Sequence, residues 1–255
     1  MKTTNLKIKK IVNETKNTIT IKFKQSKNPI KYKSGQFITL IIPIKKKKIK
    51  RAYSFSSSPY TDKLPAITIK KIKNGIMSNY LNKEIKTGDI IKIIKPTGKF
   101  ILKNNNKKNI VLIGGGSGIT PLISILKSTL YTKKKKKIFL IYSNKNKNNI
   151  IFKKELSRIK LKNKKKFNII YSLDNWKKKW KKTKNKFNIE IFKKIIQKIK
   201  NWEKKKNYYI CGPSKLIDLT TKILSVLKMK KKEIHKESFI SKKEEKNKKI
   251  KKKKI

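Results

Sequence analysis

The stretch "IVLIGGGSGITPLISILKSTL" (residues 110–130) passes from an apolar strand to an apolar helix through four glycines and a Thr-Pro pair. Glycines at such a junction let backbone N–H groups approach a ligand, and the start of the following helix favours an anion such as a pyrophosphate. Pro121 suits the first helical turn, where no amide donor is needed. The turn reads "GGGSG" (114–118) and lacks the lysine of a Walker loop, which argues against nucleoside triphosphate hydrolysis. Glycine also serves tight backbone packing, so the turn alone leaves both uses open.

Downstream of that turn, strands expected at 109–113, 138–142, 167–171 and 207–211 alternate with helical stretches near 120–130, 151–161, 189–200 and 214–228. Such βα repetition predicts a parallel sheet with helices on its faces and a ligand site at the carboxyl ends of its strands. Cys211 ends the last of these strands, and Gly212-Pro213 break it before another helix, so the thiol is expected at the same sheet edge as the glycine turn. A lone cysteine is also a common small buried apolar group.

Upstream the period changes. Short apolar segments at 6–12, 18–23, 35–42, 51–57, 66–72 and 89–94 show period-two alternation, with Gly35, Gly75, Gly88 and Gly98 near the breaks. They predict an antiparallel sheet closed or curled into a small β-barrel, carrying one short helix at 76–85. The expected fold class is therefore an N-terminal antiparallel β-barrel followed by an α/β parallel-sheet nucleotide-binding domain. The boundary falls near 101–108, giving domains at 1–102 and 103–240, and a lysine-rich tail at 241–255 too polar to order itself.

Charge points elsewhere at first. The 255 residues carry 74 lysines plus arginines against 13 acids, a net charge of +61 that would ordinarily advertise a polyanion partner. Only Arg51 and Arg158 are arginines, the lysines fall almost everywhere, and no helix-turn-helix, zinc-finger or RNA-recognition pattern is present. A specific nucleic-acid partner is not expected. A single cysteine builds no intrachain disulfide and no multi-cysteine metal site, and no apolar run approaches a membrane span of about 18 residues. A cytoplasmic protein is expected.

Read in order, Arg51-Ala52-Tyr53-Ser54, Gly98-Lys99-Phe100, Gly114 through Pro121 and Cys211-Gly212-Pro213 give a chain that resembles the ferredoxin–NADP reductase family of flavoproteins over about residues 5–239. The resemblance implies a barrel that holds FAD and a second domain that binds a nicotinamide dinucleotide. It implies that Arg51 contacts the FAD pyrophosphate, that Tyr53 stacks on the ring and that the Ser54 hydroxyl lies near flavin N5. "NGIMSNYL" (74–81) resembles a second phosphate-holding segment, with Gly75, Met77 and Ser78 beside the pyrophosphate. Gly114, Gly115, Gly116 and Gly118 would border the dinucleotide, Thr120 would face the nicotinamide, and Cys211, with Gly212 and Pro213, would approach the carbon carrying the hydride. An arginine fork suits phosphate and a tyrosine face suits a planar ring, although Tyr53 as barrel core and Ser54 bonded to backbone remain open.

The ending "EIHKESFISKK" (233–243) is similar to the His-x-Glu-x-Phe close of reductase modules from oxygenase systems, matched by His235, Glu237 and Phe239. Such modules often continue into an iron–sulfur domain, for which this sequence supplies no cysteines, so electrons are expected to pass to a separate carrier. Phe239 borders the flavin or anchors the sheet edge, and His235 is read as structural. Ser143, Lys145 and Lys147 follow the second parallel strand, where family members contact the adenosine ribose; lysines there favour NADP(H), with NAD(H) as the alternative. The expected reaction moves electrons between NADP(H) and a small acidic carrier, ferredoxin or flavodoxin, through bound FAD. The alternatives are an NADH-dependent reductase of an oxygenase and a non-catalytic nucleotide-binding regulator.

Overall fold

In the N-terminal third, side chains alternate between two faces of each strand, and burial follows: Ile38, Leu40 and Ile42 point inward from Phe37–Ile44. The computed structural model describes residues 3–25, 29–45, 47–103, 109–132, 136–173, 195–197, 199 and 205–239. Its first sheet comprises β1 (Thr3–Thr15), β2 (Thr18–Phe23), β3 (Phe37–Ile44), β4 (Lys47–Ser54), β5 (Ala66–Lys70) and β6 (Ile90–Thr97). They lie in the order β4-β3-β6-β1-β2-β5 with every pair antiparallel. Past the end of β4 the sheet curls back on itself: Phe55 bridges to Ile67 on β5, and Ser56 N donates to Ala66 O at 2.9 Å. This is the barrel expected from the sequence. Helix α1 (Ile76–Lys83) buries Met77 and Leu81 against its core.

One element is longer than expected. The lysine run ahead of Arg51 is strand, because Lys47–Lys50 pair with Ile41–Ile44. β4 stands at the sheet edge, where exposed lysines are compatible with pairing on one side and deter it on the other.

The second sheet is wholly parallel, in the order β11-β10-β7-β8-β9, from β7 (Asn109–Gly115), β8 (Ile138–Asn144), β9 (Phe167–Leu173), β10 (Lys206–Gly212) and β11 (Ile234–Ser238). Helices α2 (Ile119–Tyr131), α3 (Lys153–Lys162) and α4 (Ser214–Val226) cover it, and an apolar core lies on each face. The helix expected at 189–200 lies mostly outside the described residues, of which 195–197 and 199 are helical. β11 is an addition to the expected elements and extends the sheet by one edge strand.

Helix α2 is buried on nearly every side, because it packs between the parallel sheet and the barrel. Its serines serve the second contact. Ser124 Oγ donates to Ser57 O at 2.6 Å, and Ser128 Oγ bonds both Ser58 Oγ, at 2.7 Å, and Ser34 Oγ. Polar groups buried between two apolar bodies need such partners, and here the partners come from the opposite body. The carboxyl ends of the parallel strands thereby face one end of the barrel.

Candidate functional site

From β7 the chain builds the sheet outward through β8 and β9, then returns to place β10 and β11 on the other side of β7. The strand order therefore reverses between β7 and β10, and that crevice is where open α/β sheets take ligands. Gly114 and Cys211 are register partners across it. The backbones meet closely: a Cβ on Gly118 would lie 2.1 Å from Cys211 O, and one on Gly212 would lie 2.9 Å from Gly115 N. On Gly115 it would come within 2.9 Å of Pro213 Cδ, and on Gly114 within 2.9 Å of Leu122 Cδ1. Packing thus accounts for these glycines directly. Gly116 differs, since its φ of +53° requires the left-handed conformation. The turn of 3₁₀ helix at Gly116–Gly118 carries no side-chain cap, leaving its own first backbone amides for an anion, while the first amide of α2, Ile119 N, donates back to Gly116 O. Thr120 is buried and its hydroxyl donates to Ser117 O at 3.1 Å, bracing the turn.

Lys70, on β5 of the barrel, reaches this turn: its Nζ lies 3.6 Å from the position a Gly116 Cβ would take. Burial, then the neighbouring charge of Lys145, lowers its pKa. A half-buried Lys70 with the exposed Lys145 near it puts two cations beside the turn, a place suited to an anion. Lys70 was missed by sequence reasoning, since in a chain so rich in lysine only position distinguishes one. Lys147 goes elsewhere. It faces a groove of about 1000 Å³ together with Lys153 and Lys127, and that groove contains none of the other expected site residues. Lys127 there bridges Asp62 of the barrel, at 3.0 Å, and Glu155 of α3, at 3.1 Å. Ser143 sits at the end of β8 between Gly115 and Ser172.

On the barrel side, β4 delivers Arg51, Tyr53 and Ser54. The Arg51 guanidinium is exposed and donates to Lys50 O at 2.8 Å. Burial pushes the Tyr53 phenol up to about 12, against the opposing charge of Arg51, so the ring is neutral and half-buried beside an available cation. This pairing fits the phosphate and ring of a flavin nucleotide. At the start of α1, Ser78 Oγ accepts from Ile72 N at 3.2 Å and donates to Gly75 O at 3.4 Å, tying the turn together. No side chain caps this helix, whose first amides stay open to an anion, while the Met77 side chain belongs to the barrel core and leaves only its backbone for a ligand.

Ser54 meets the far end of the chain. Its Oγ donates to Glu237 Oε2 at 3.4 Å, although 183 residues separate them. Glu237 is the register partner of Cys211 on the neighbouring strand. Burial pushes the Glu237 carboxyl up to about 7, with the Ser54 hydroxyl pulling the other way. The Cys211 thiol is raised by its own burial and further by the Glu237 charge, so a thiolate nucleophile is disfavoured. Glu237 was only a motif match in the sequence; its place opposite Ser54 and Cys211 depends on β11 pairing with β10. His235 packs against Tyr209, ring centroids 4.7 Å apart, and Phe239 stands 46% exposed just beyond β11.

The raised pKa carries a sign. A carboxyl at about 7 in the folded state, against 4.5 ordinarily, holds a proton the unfolded chain has already released. Its contribution to stability is therefore present at low pH and falls away as pH rises through that window. Glu237→Gln keeps the bond to Ser54 and removes the ionisation, so at about pH 8 it is expected to be more stable than wild type by about 2 kcal/mol, after allowance for partial exposure, and equal at about pH 4. Urea denaturation at both pH values measures this; equal stability at each would mean that Glu237 ionises normally.

The antiparallel barrel, with its exposed arginine beside a neutral tyrosine, and the parallel sheet with its reversal point are the two parts of an FAD-binding and NAD-binding oxidoreductase fold. An oxidoreductase FAD-binding domain family matches residues 3–101, and an oxidoreductase NAD-binding domain family matches residues 112–222. The chain belongs to the ferredoxin–NADP reductase family. It is 31% identical over 240 residues to the ferredoxin reductase component of a 3-ketosteroid-9-alpha-monooxygenase from Rhodococcus rhodochrous, covering 92% of this chain and 65% of that protein. It is 30% identical over 244 residues to flavohemoprotein A of Dictyostelium discoideum, covering 89% and 58%. The chain thus spans less than two thirds of the length of either relative. Among solved structures, a ferredoxin–NADP+ reductase from Plasmodium falciparum with 2'P-AMP superposes with a TM-score of 0.77 at 26% identity, over 92% of this chain and 95% of that one. A ferredoxin reductase of carbazole 1,9a-dioxygenase shares the fold, with a TM-score of 0.79 at 18% identity, over 94% of this chain and 70% of that one. Among the described residues, no helix is long and apolar enough to cross a membrane.

Proposed function

We propose that this chain transfers electrons between NADP(H) and a small acidic carrier protein through bound FAD. The observation that carries the reading is the meeting of Ser54 from the barrel with Glu237 and Cys211 from the parallel sheet, at the mouth of the crevice lined by the glycine turn. When bound, the flavin supplies the chemistry, accepting electrons in pairs and releasing them singly. The protein's part is to hold and orient. Arg51 and the amides of Met77 and Ser78 take the FAD pyrophosphate, Gly75 lies beside it with its own amide bonded to Ile72 O at 3.0 Å, Tyr53 lies on the ring, and Phe239 borders it. Gly114, Gly115, Gly116 and Gly118 shape the dinucleotide crevice, with Lys70 and Lys145 offering charge to its phosphates. Thr120, Cys211, Gly212 and Pro213 shape the nicotinamide end without a covalent step. Glu237 holds a proton near neutrality at the crevice, and the Ser54 hydroxyl bonded to it orients that carboxyl. Of the lysines that the sequence offered for the ribose phosphate, Lys145 has the better position and Lys147 the poorer one.

The boundaries at 102/103 and 240/241 and a cytoplasmic location belong to the same proposal. Excess positive charge over an electron-transfer site favours an acidic partner, ferredoxin or flavodoxin. The name of the Rhodococcus relative supports ferredoxin, and it equally supports a second reading as the NADH-dependent reductase of an oxygenase. Anaerobic mixing with NADPH or NADH tests the proposal by the rate of flavin bleaching. Wild type is expected to bleach with both and faster with NADPH, with the preference shrinking as salt rises. Cys211→Ser is expected to retain FAD and bleach about tenfold more slowly, because a small misplacement of donor and acceptor raises the barrier. An NADH preference would select the second reading, and no bleaching by either dinucleotide would overturn both.

A further inference from the structure

Tyr142 has a hydroxyl where a phenylalanine would fill the core equally well. It lies near the carboxyl end of β8 with 0% of its surface exposed, packed in the apolar layer beneath α2 and α3. A phenol in such surroundings needs a partner, and the partner is informative: Tyr142 Oη donates to Gly116 O at 2.8 Å. Gly116 is the left-handed residue of the glycine turn, so the bond holds the one peptide of that turn whose conformation is unusual. The Ile151 backbone and the Asn144 side chain lie against the same hydroxyl. Asn144 follows Tyr142 by two residues, on the same face of β8. It is 4% exposed, and its amide is buried beside the phenol.

Ile151 lies near the end of the loop that begins with Lys145 after β8, and it precedes Phe152, whose φ of 60° is unfavourable for so large a residue. A loop that ends in such a conformation is held by its packing. The Tyr142 hydroxyl therefore touches both segments that the proposed function gives to the dinucleotide, one through Gly116 and the other through Ile151 and Asn144.

We infer that Tyr142 is a positioning residue that fixes the glycine turn and the 145–152 loop relative to each other, so that one dinucleotide can engage both. The inference rests on the function proposed above. Two prearranged half-sites bind a two-ended ligand better than two that must be brought into place. Removing the hydroxyl should thus weaken the whole dinucleotide more than a fragment that uses one loop.

The test is calorimetric binding of NADP+, NAD+, adenosine 2',5'-bisphosphate and AMP to FAD-loaded wild type and Tyr142→Phe, with thermal melts and flavin spectra of both. Tyr142→Phe is expected to raise Kd for the preferred dinucleotide about tenfold, the scale set by one buried hydrogen bond, with the matching adenosine fragment changed less than about threefold. FAD content and spectrum should be unchanged. Asn144→Ala, which leaves the phenol in place, should raise the dinucleotide Kd in the same direction by less. Equal dinucleotide Kd values in wild type and Tyr142→Phe would overturn the inference, as would a fragment Kd that rises as much as that of the whole ligand. Loss of cooperative folding in Tyr142→Phe would overturn it too, by giving the hydroxyl to the fold. Wild type that binds neither dinucleotide would overturn the proposed function and this inference with it.

Discussion

Gly118→Ala is expected to destabilise the parallel-sheet domain by about 4 kcal/mol or more and to abolish dinucleotide binding. The backbone at Gly118 is ordinary right-handed helix, φ −62° and ψ −8°, so alanine meets no conformational obstacle. Space alone decides. The new Cβ would lie 2.1 Å from Cys211 O, 2.4 Å from Cys211 C and 2.7 Å from Gly212 Cα, all backbone atoms of a buried strand that cannot rotate away. Either β10 shifts against β7 or the turn opens, and each outcome spoils the crevice. Gly88→Ala is the contrasting case. Gly88 has φ +101° with nothing within 4 Å of its added Cβ, so only local strain of about 1 kcal/mol is expected. Urea denaturation of the two variants compares steric with conformational cost. A Gly118→Ala protein as stable as the Gly88→Ala one would mean that β7 and β10 do not approach as described.

Arg51→Ala is expected to raise the Kd for FAD about a hundredfold while leaving the barrel folded, on the scale of two charge-assisted hydrogen bonds to phosphate. The stability half of the prediction follows from exposure. Arg51 lies on the edge strand, and its guanidinium has a backbone bond to Lys50 O within the barrel, so truncation opens no cavity. The affinity half follows from geometry, since a planar fork can hold two phosphate oxygens at once. Arg51→Lys should therefore recover only part of the loss, because an ammonium keeps the charge without the fork. Fluorescence titration of the apoprotein with FAD at two salt concentrations measures both terms. FAD affinity unchanged in Arg51→Ala would make the residue one more surface cation in a chain of net charge +61.

The two strand periods and the order of the motifs were legible in the sequence, and each rests on local physics. Alternation at period two follows from side chains projecting to opposite faces of a strand, and the βα repeat from strands buried on both sides between helices. The glycine turn and the Cys211 turn could be placed at one sheet edge because both end parallel strands. Even the ambiguity over the glycines was a true property of the sequence, since Gly118 answers to packing and Gly116 to its backbone angle.

Partnerships across the fold needed the tertiary structure. Glu237 became a neighbour of Ser54 and Cys211 only once β11 paired with β10 and the sheet faced the barrel. Lys70 became distinct from the other lysines by reaching Gly116, and Lys145 parted from Lys147 although one residue separates them, the first lying near Lys70 and the second lining the groove with Lys127 and Lys153. Ser34, Ser58 and Ser128 read as unremarkable hydroxyls until the docking of α2 buried them together. Side-chain alternation is written residue by residue, whereas strand order and domain docking emerge from the whole chain's burial of apolar surface and leave no local mark on the polar groups they bring into contact.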